Sequence, residues 1–209
     1  MLVTAFGAAG GGGGEGEFGS RHAAAIVVAH VLFTAIVFAY ARARHGASPR
    51  DLGMRPPRGG DVLFALALYA ASIPGWVAAS MLAAALEGET PVQRSVAFFR
   101  EAGVLDRLLL ATTAVVTAPV AEELLFRGVL FTVLRSSLGV WPAAILSALI
   151  FGALHADAAW LPLVWLGFVL ALVHQKTGTL FAPIAVHAAH NAAMLGVLVL
   201  APESGGRPV

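Results

Sequence analysis

One stretch near the middle of the chain decides how the rest is interpreted: Ala118-Pro119-Val120-Ala121-Glu122-Glu123-Leu124-Leu125-Phe126-Arg127-Gly128. It places three ionisable side chains within six positions of an otherwise apolar segment. Each charge at the centre of a membrane helix costs about 2.5–3.5 kcal/mol on insertion scales, whereas each Leu, Phe or Val returns only about 0.3–0.6 kcal/mol. Charges retained at such a cost are by default candidates for a functional site.

The composition outside this stretch favours a membrane protein. The 209 residues are 58% hydrophobic and 12% charged, whereas soluble domains have roughly 45–50% apolar and about 25% charged residues. The 13 basic and 12 acidic residues form no dense basic patch, so nucleic acid is not an expected partner. The chain has no cysteine, which excludes disulfides, thiolate metal sites and cysteine nucleophiles.

Six apolar windows predict an all-α bundle of about six membrane helices, since a bilayer core needs about 20 apolar helical residues. The windows are residues 23–40, 62–86, 108–133, 141–154, 161–174 and 180–200. The fourth and fifth are short, and we expect either of them to be a re-entrant or tilted element inside the bundle. The predicted domains are a Gly-rich disordered tail (1–20), N-terminal membrane helices and loops (21–103), a core (104–200) and a C-terminal tail (201–209).

Loop charges predict the orientation in the membrane, because short basic loops stay in the cytoplasm. The loop after the first window holds five arginines, and alternation then places both termini outside. These arginines are Arg42, Arg44, Arg50, Arg55 and Arg58.

Helical geometry predicts a partner within the same segment for one of the two glutamates. Arg127 follows Glu123 at the i,i+4 spacing that lets a guanidinium meet a carboxylate. This pair alone can be purely structural. Glu122 lies about 100° further round the helix, so its partner is expected from another helix.

Later windows supply polar candidates for that partner. His155 ends the fourth window, and the sixth contains His187 and Asn191, which share a helix face at i,i+4. Two carboxylates, an arginine, histidines and an asparagine together provide the base, acid and oxyanion donor of a hydrolytic site. His190 is a supporting candidate. His30 and His174 are interpreted as histidines that join helices by hydrogen bonds.

These residues resemble the three motifs of the CPBP intramembrane proteases, a family that includes Rce1-type CAAX prenyl endopeptidases and bacterial Abi and bacteriocin-immunity proteins. The motifs are Glu122-Glu123-x-x-x-Arg127, Phe151-x-x-x-His155 and His187-x-x-x-Asn191, in that order. The resemblance covers roughly residues 104–200. Each motif alone is weak, and the ordered set of three is specific.

The resemblance implies an integral membrane endopeptidase acting on a membrane-associated peptide or protein. The single lysine against twelve arginines, together with the abundant alanine and glycine, indicates a prokaryotic membrane. Glu122 and His155 would activate water, Glu123 and Arg127 would hold the site, and His187 with Asn191 would stabilise the oxyanion. Members are often named metalloproteases, and Glu122, His155 and His187 would suit a zinc ion. The chain lacks the helical His-Glu-x-x-His signature, so a metal-free glutamate-type hydrolase is the slightly favoured alternative.

Two other functions remain open from the sequence. Intramembrane Glu and His residues also form proton relays in transporters, although no paired broken helices in two related halves are evident. A non-catalytic scaffold or immunity protein can keep the same motifs for packing.

Overall fold

The computed structural model describes residues 20–87, 99, 102–155 and 160–200, and these contain six helices and no strand. They are α1 (Ser20–His45), α2 (Asp61–Glu87), α3 (Val104–Leu138), α4 (Val140–Ala153), α5 (Trp160–Thr177) and α6 (Phe181–Leu200). The predicted all-α bundle is confirmed. The tails over 1–19 and 201–209 lie outside the described residues.

The helices differ in their ability to span a bilayer. Four of the described helices, α1, α2, α3 and α6, are long and apolar enough to cross a membrane. The 14 residues of α4 reach only about 21 Å at 1.5 Å per residue, short of the roughly 30 Å hydrocarbon core. The fourth predicted window is therefore a short element within the bundle.

Helix α5 lies at the centre of the fold. It packs against α2, α3, α4 and α6, and its residues Leu166, Leu170 and Val173 form a buried cluster with neighbouring helices. Glycine permits the close approach of α4 to α5. A Cβ on Gly152 would lie 2.4 Å from Val164 Cγ2, so only glycine fits there without displacing α5.

The outer helices expose apolar side chains. Leu63 and Met81 on α2 are 72% and 69% exposed, and Ile36 on α1 is 63% exposed. Such surfaces are unfavourable in water and suit contact with lipid chains.

Helix α3 is not uniformly α-helical. Thr113–Thr117 and Leu124–Phe131 are π-helical, and the α-helical turn Ala118–Glu123 lies between them. π-Helical insertions are frequent at functional sites because they rotate side chains away from the regular α-helical positions. Glu122 and Glu123 therefore lie at the junction of two helical registers.

The arginine-rich loop folds back onto the bundle. Arg55 donates from Nε to Gly178 O at 2.8 Å and from Nη2 to Thr177 O, and Thr179 Oγ1 donates to Arg55 O at 2.7 Å. The sequence indicated Arg55 only as a topology signal. In the structure it also fixes the α1–α2 loop to the turn between α5 and α6.

Candidate active site

Glu123 and Arg127 form a buried ion pair in α3. Arg127 Nη1 donates to Glu123 Oε1 at 2.7 Å, and the two side chains are 1% and 0% exposed. Arg127 Nη2 donates to Gly167 O of α5 at 2.9 Å, and its guanidinium lies 5.0 Å from the centre of the Phe151 ring. The i,i+4 pairing predicted from the sequence is present, and it also links α3 to the central helix.

His187 of α6 joins this pair. Its Nδ1 lies 2.9 Å from Glu123 Oε1, the same oxygen that accepts from Arg127. The ionised carboxylate of Glu123 can only accept hydrogen bonds. Nδ1 of His187 is therefore the donor in this contact and carries a proton. The Nε2 atom then faces Glu122 Oε2 at 3.8 Å.

His155 approaches Glu122 from the end of α4. Its Nδ1 lies 2.7 Å from Phe151 O, and because a carbonyl only accepts, Nδ1 is the donor. Its Nε2 lies 3.9 Å from Glu122 Oε2. The Nε2 atoms of His155 and His187 thus face the same carboxylate oxygen at distances too long for direct hydrogen bonds. The partners that Glu122 was expected to find on other helices are these two histidines.

The side chains of the site differ in how deeply they are buried. The side chains of Glu122 and His155 are 13% and 21% exposed, whereas Glu123 is fully buried. Among the described residues, Glu123 Oε2 and Arg127 Nε are buried and make no hydrogen bond. Access from outside the bundle is therefore on the Glu122 and His155 side, with the ion pair behind it.

Asn191 lies on α6 one turn after His187, but its hydrogen bond goes to the backbone. Its Nδ2 donates to Ala114 O at 2.7 Å, in the first π-helical segment of α3. No motif in the sequence points to this carbonyl.

The other histidines point elsewhere. Nδ1 of His190 lies 2.7 Å from the Tyr69 hydroxyl, and the ring centres of His190 and Trp76 are 5.6 Å apart, so His190 faces α2. His30 of α1 lies 3.3 Å from Thr117 Oγ1 of α3, which fits its interpretation as a link between helices. His174 Nδ1 lies 3.4 Å from Thr179 O, in the turn that follows its own helix, and so links α5 to that turn.

The site contains donor atoms of the types that bind metal ions. Glu122, His155 and His187 supply one carboxylate and two imidazole nitrogens, which is a zinc-type donor set. Within the part of the chain that the structure describes, however, no group of three or more such side chains is arranged to hold a metal ion. We therefore derive no step through a metal ion.

Comparison with known proteins gives partial matches. Residues 104–193 match the family model described as type II CAAX prenyl endopeptidase Rce1-like. A Bacillus subtilis (strain 168) protein named "Putative membrane peptidase YdiL" is 31% identical over 84 residues, which cover 40% of this chain and 34% of that protein. No solved structure gives a significant match.

Two further bacterial relatives have no stated activity. The uncharacterized B. subtilis protein YpbD is 42% identical over 72 residues (32% of this chain and 34% of that protein). An uncharacterized 24.3 kDa Escherichia coli protein is 30% identical over 106 residues, 48% of each chain. The chain thus spans between about a third and a half of the length of these relatives.

The family match and the apolar helices both indicate a membrane protein. The chain is an integral membrane protein. The matched segment contains all the site side chains described above, which are Glu122, Glu123, Arg127, His155, His187 and Asn191. Residues 104–193 match the Rce1-like family model, which confirms the resemblance drawn from the three ordered motifs.

Proposed function

We propose that this chain is an intramembrane endopeptidase that hydrolyses a peptide bond in a membrane-associated peptide or protein. The observation that carries the proposal is the convergence of the Nε2 atoms of His155 and His187 on Glu122 Oε2, at 3.9 and 3.8 Å. A packing role alone would not require three ionisable side chains around a partly exposed space in a membrane protein.

Water activation is assigned to Glu122 and His155. Because Nδ1 of His155 donates to Phe151 O, the neutral ring presents an unprotonated Nε2 toward Glu122. A water held between this nitrogen and the carboxylate has a proton acceptor on both sides. As its oxygen attacks the substrate carbonyl, one proton passes to this pair and is later delivered to the leaving amine.

Oxyanion stabilisation is assigned to His187 and Asn191. Donation from Nε2 of His187 requires protons on both ring nitrogens, and the Glu123 carboxylate at 2.9 Å from Nδ1 is placed to compensate that charge. Arg127 holds the carboxylate in place from its other side. Asn191 keeps a second amide N–H for the oxyanion, since only one is needed for Ala114 O.

The first test is cleavage of a panel of membrane-anchored peptides by the purified protein in liposomes. We expect wild-type protein to cleave at least one of them, and His155→Ala to reduce the rate by about 10²–10⁴-fold, the range for a lost general base. His45→Ala, at the exposed end of α1, is the matched control and should keep the full rate. Undiminished cleavage by His155→Ala would contradict the assignment, and proton flux without cleavage would favour a transporter.

A second test concerns zinc. We propose the metal-free route because the chain lacks the helical His-Glu-x-x-His signature and because, among the described residues, no group of three or more such side chains is arranged to hold an ion. Protein that has been exhaustively chelated, and shown by elemental analysis to be substoichiometric in metal, should cleave at the wild-type rate. Loss of activity that zinc alone restores, together with stoichiometric zinc binding, would instead assign Glu122, His155 and His187 as ligands.

A further inference from the structure

We propose that Pro119 and Asn191 form a positioning pair: Pro119 leaves the Ala114 carbonyl without its helical donor, and this carbonyl orients the amide of Asn191. The catalytic part of this inference rests on the proposed hydrolytic function. The structural part does not, and the two parts are tested separately.

The backbone register identifies the freed carbonyl. The backbone N–H of Ala118 donates to Thr113 O, five residues earlier, which is the π-helical register. The next donor in that register would be the N–H of residue 119, and its acceptor would be Ala114 O. Residue 119 is proline, which has no N–H.

Asn191 supplies the missing donor. Its Nδ2 lies 2.7 Å from Ala114 O, a short distance for a neutral N–H···O bond. Pro119 is buried, and an unsatisfied backbone carbonyl in an apolar region is costly. The amide of Asn191 therefore has a structural task that its place in the His187-x-x-x-Asn191 motif does not reveal.

The same bond fixes which way the amide faces. A carbonyl can only accept, so Nδ2 rather than Oδ1 must point to Ala114, and one N–H remains. His187 and Asn191 share a face of α6 through their i,i+4 spacing, and α6 packs against both Thr113–Thr117 and Ala118–Glu123. The bond thus keeps the amide from rotating and presenting an oxygen where the oxyanion would form.

A double-mutant cycle tests the structural part through thermal unfolding midpoints in detergent. In the wild-type background, Asn191→Ala should lower the midpoint by about 2–10 °C, as expected for a partly buried carbonyl that loses its donor. In the Pro119→Ala background the restored N–H serves Ala114, and the same change should have no effect. Pro74→Ala in α2 is the matched control background, where the full loss should persist. Equal losses in all three backgrounds would overturn the pair.

If Pro119→Ala lowers the yield of folded protein, Asn191→Asp in the otherwise unchanged chain tests the hydrogen bond to Ala114 O. An ionised carboxylate cannot donate to a carbonyl, so the midpoint should fall at least as far as in Asn191→Ala. An unchanged midpoint would overturn the proposal.

Kinetics test the catalytic part. In Pro119→Ala the Ala114 carbonyl no longer holds the amide, and we expect kcat to fall about tenfold with KM unchanged, because the lost interaction is made only in the transition state. A wild-type kcat in Pro119→Ala, alongside coupling in the thermal cycle, would overturn the orienting role while leaving the structural pair intact. Absence of cleavage by wild-type protein would refute the proposed function, and with it the orienting role, and the thermal cycle would still decide the structural pair.

Discussion

Glu122→Gln should leave the protein folded and remove nearly all peptide-bond hydrolysis, by about 10²–10⁴-fold in kcat. Glutamine keeps the size of the side chain but is not basic. The carboxylate of Glu122 makes no direct hydrogen bond to His155 or His187, which lie 3.9 and 3.8 Å away, so the change breaks no hydrogen bond to either histidine. The measurement is the single-turnover cleavage rate in liposomes, with the thermal midpoint measured on the same preparation.

A loop carboxylate provides the control for this change. Hydrogen bonds from the backbone and hydroxyl of Ser48 lower the pKa of Asp51, an exposed side chain in the α1–α2 loop. Asp51→Asn removes the same charge from the chain far from Glu122 in sequence, and it should leave the cleavage rate unchanged. Retention of most of the activity by Glu122→Gln, at an unchanged midpoint, would exclude Glu122 as the base.

The sequence predicted those parts of the site that depend on spacing within one helix. The i,i+4 spacing predicted the pairing of Glu123 with Arg127, and the two side chains are in contact at 2.7 Å. It also predicted that Glu122 needs partners from other helices, because an unpaired charge is too costly in an apolar segment. The order of the motifs then nominated His155 and His187, which the fold brings to Glu122 Oε2.

The sequence did not predict the partners that are backbone carbonyls. Phe151 O orients His155, Gly167 O receives Arg127, and Ala114 O receives Asn191. Every residue has a carbonyl, so no residue type signals its use, and the π-helical segments that change the register have no clear composition. Pro119 was the one available signal, since a proline inside a helix frees an acceptor.

The second large effect is expected from Arg127→Leu, which should lower the free energy of unfolding by about 3–5 kcal/mol, the cost of leaving a buried charge without its partner. Glu123 is fully buried, and without the guanidinium its Oε1 keeps His187 as its one hydrogen-bond partner among the described residues. Arg127→Lys should be intermediate, since one ammonium group does not reproduce the fork that reaches both Glu123 Oε1 and Gly167 O. Unfolding by denaturant in detergent micelles measures the difference.

The double variant Glu123→Leu/Arg127→Leu separates a structural role from a functional one. Removing both charges leaves no buried ion unpaired, so most of the lost stability should return. Activity should not return, because His187 then has no carboxylate at Nδ1 to hold its ring or to compensate its charge. A double variant that is both stable and fully active would show that the Glu123 and Arg127 pair only holds helices together, and that His187 needs no carboxylate for its part in hydrolysis.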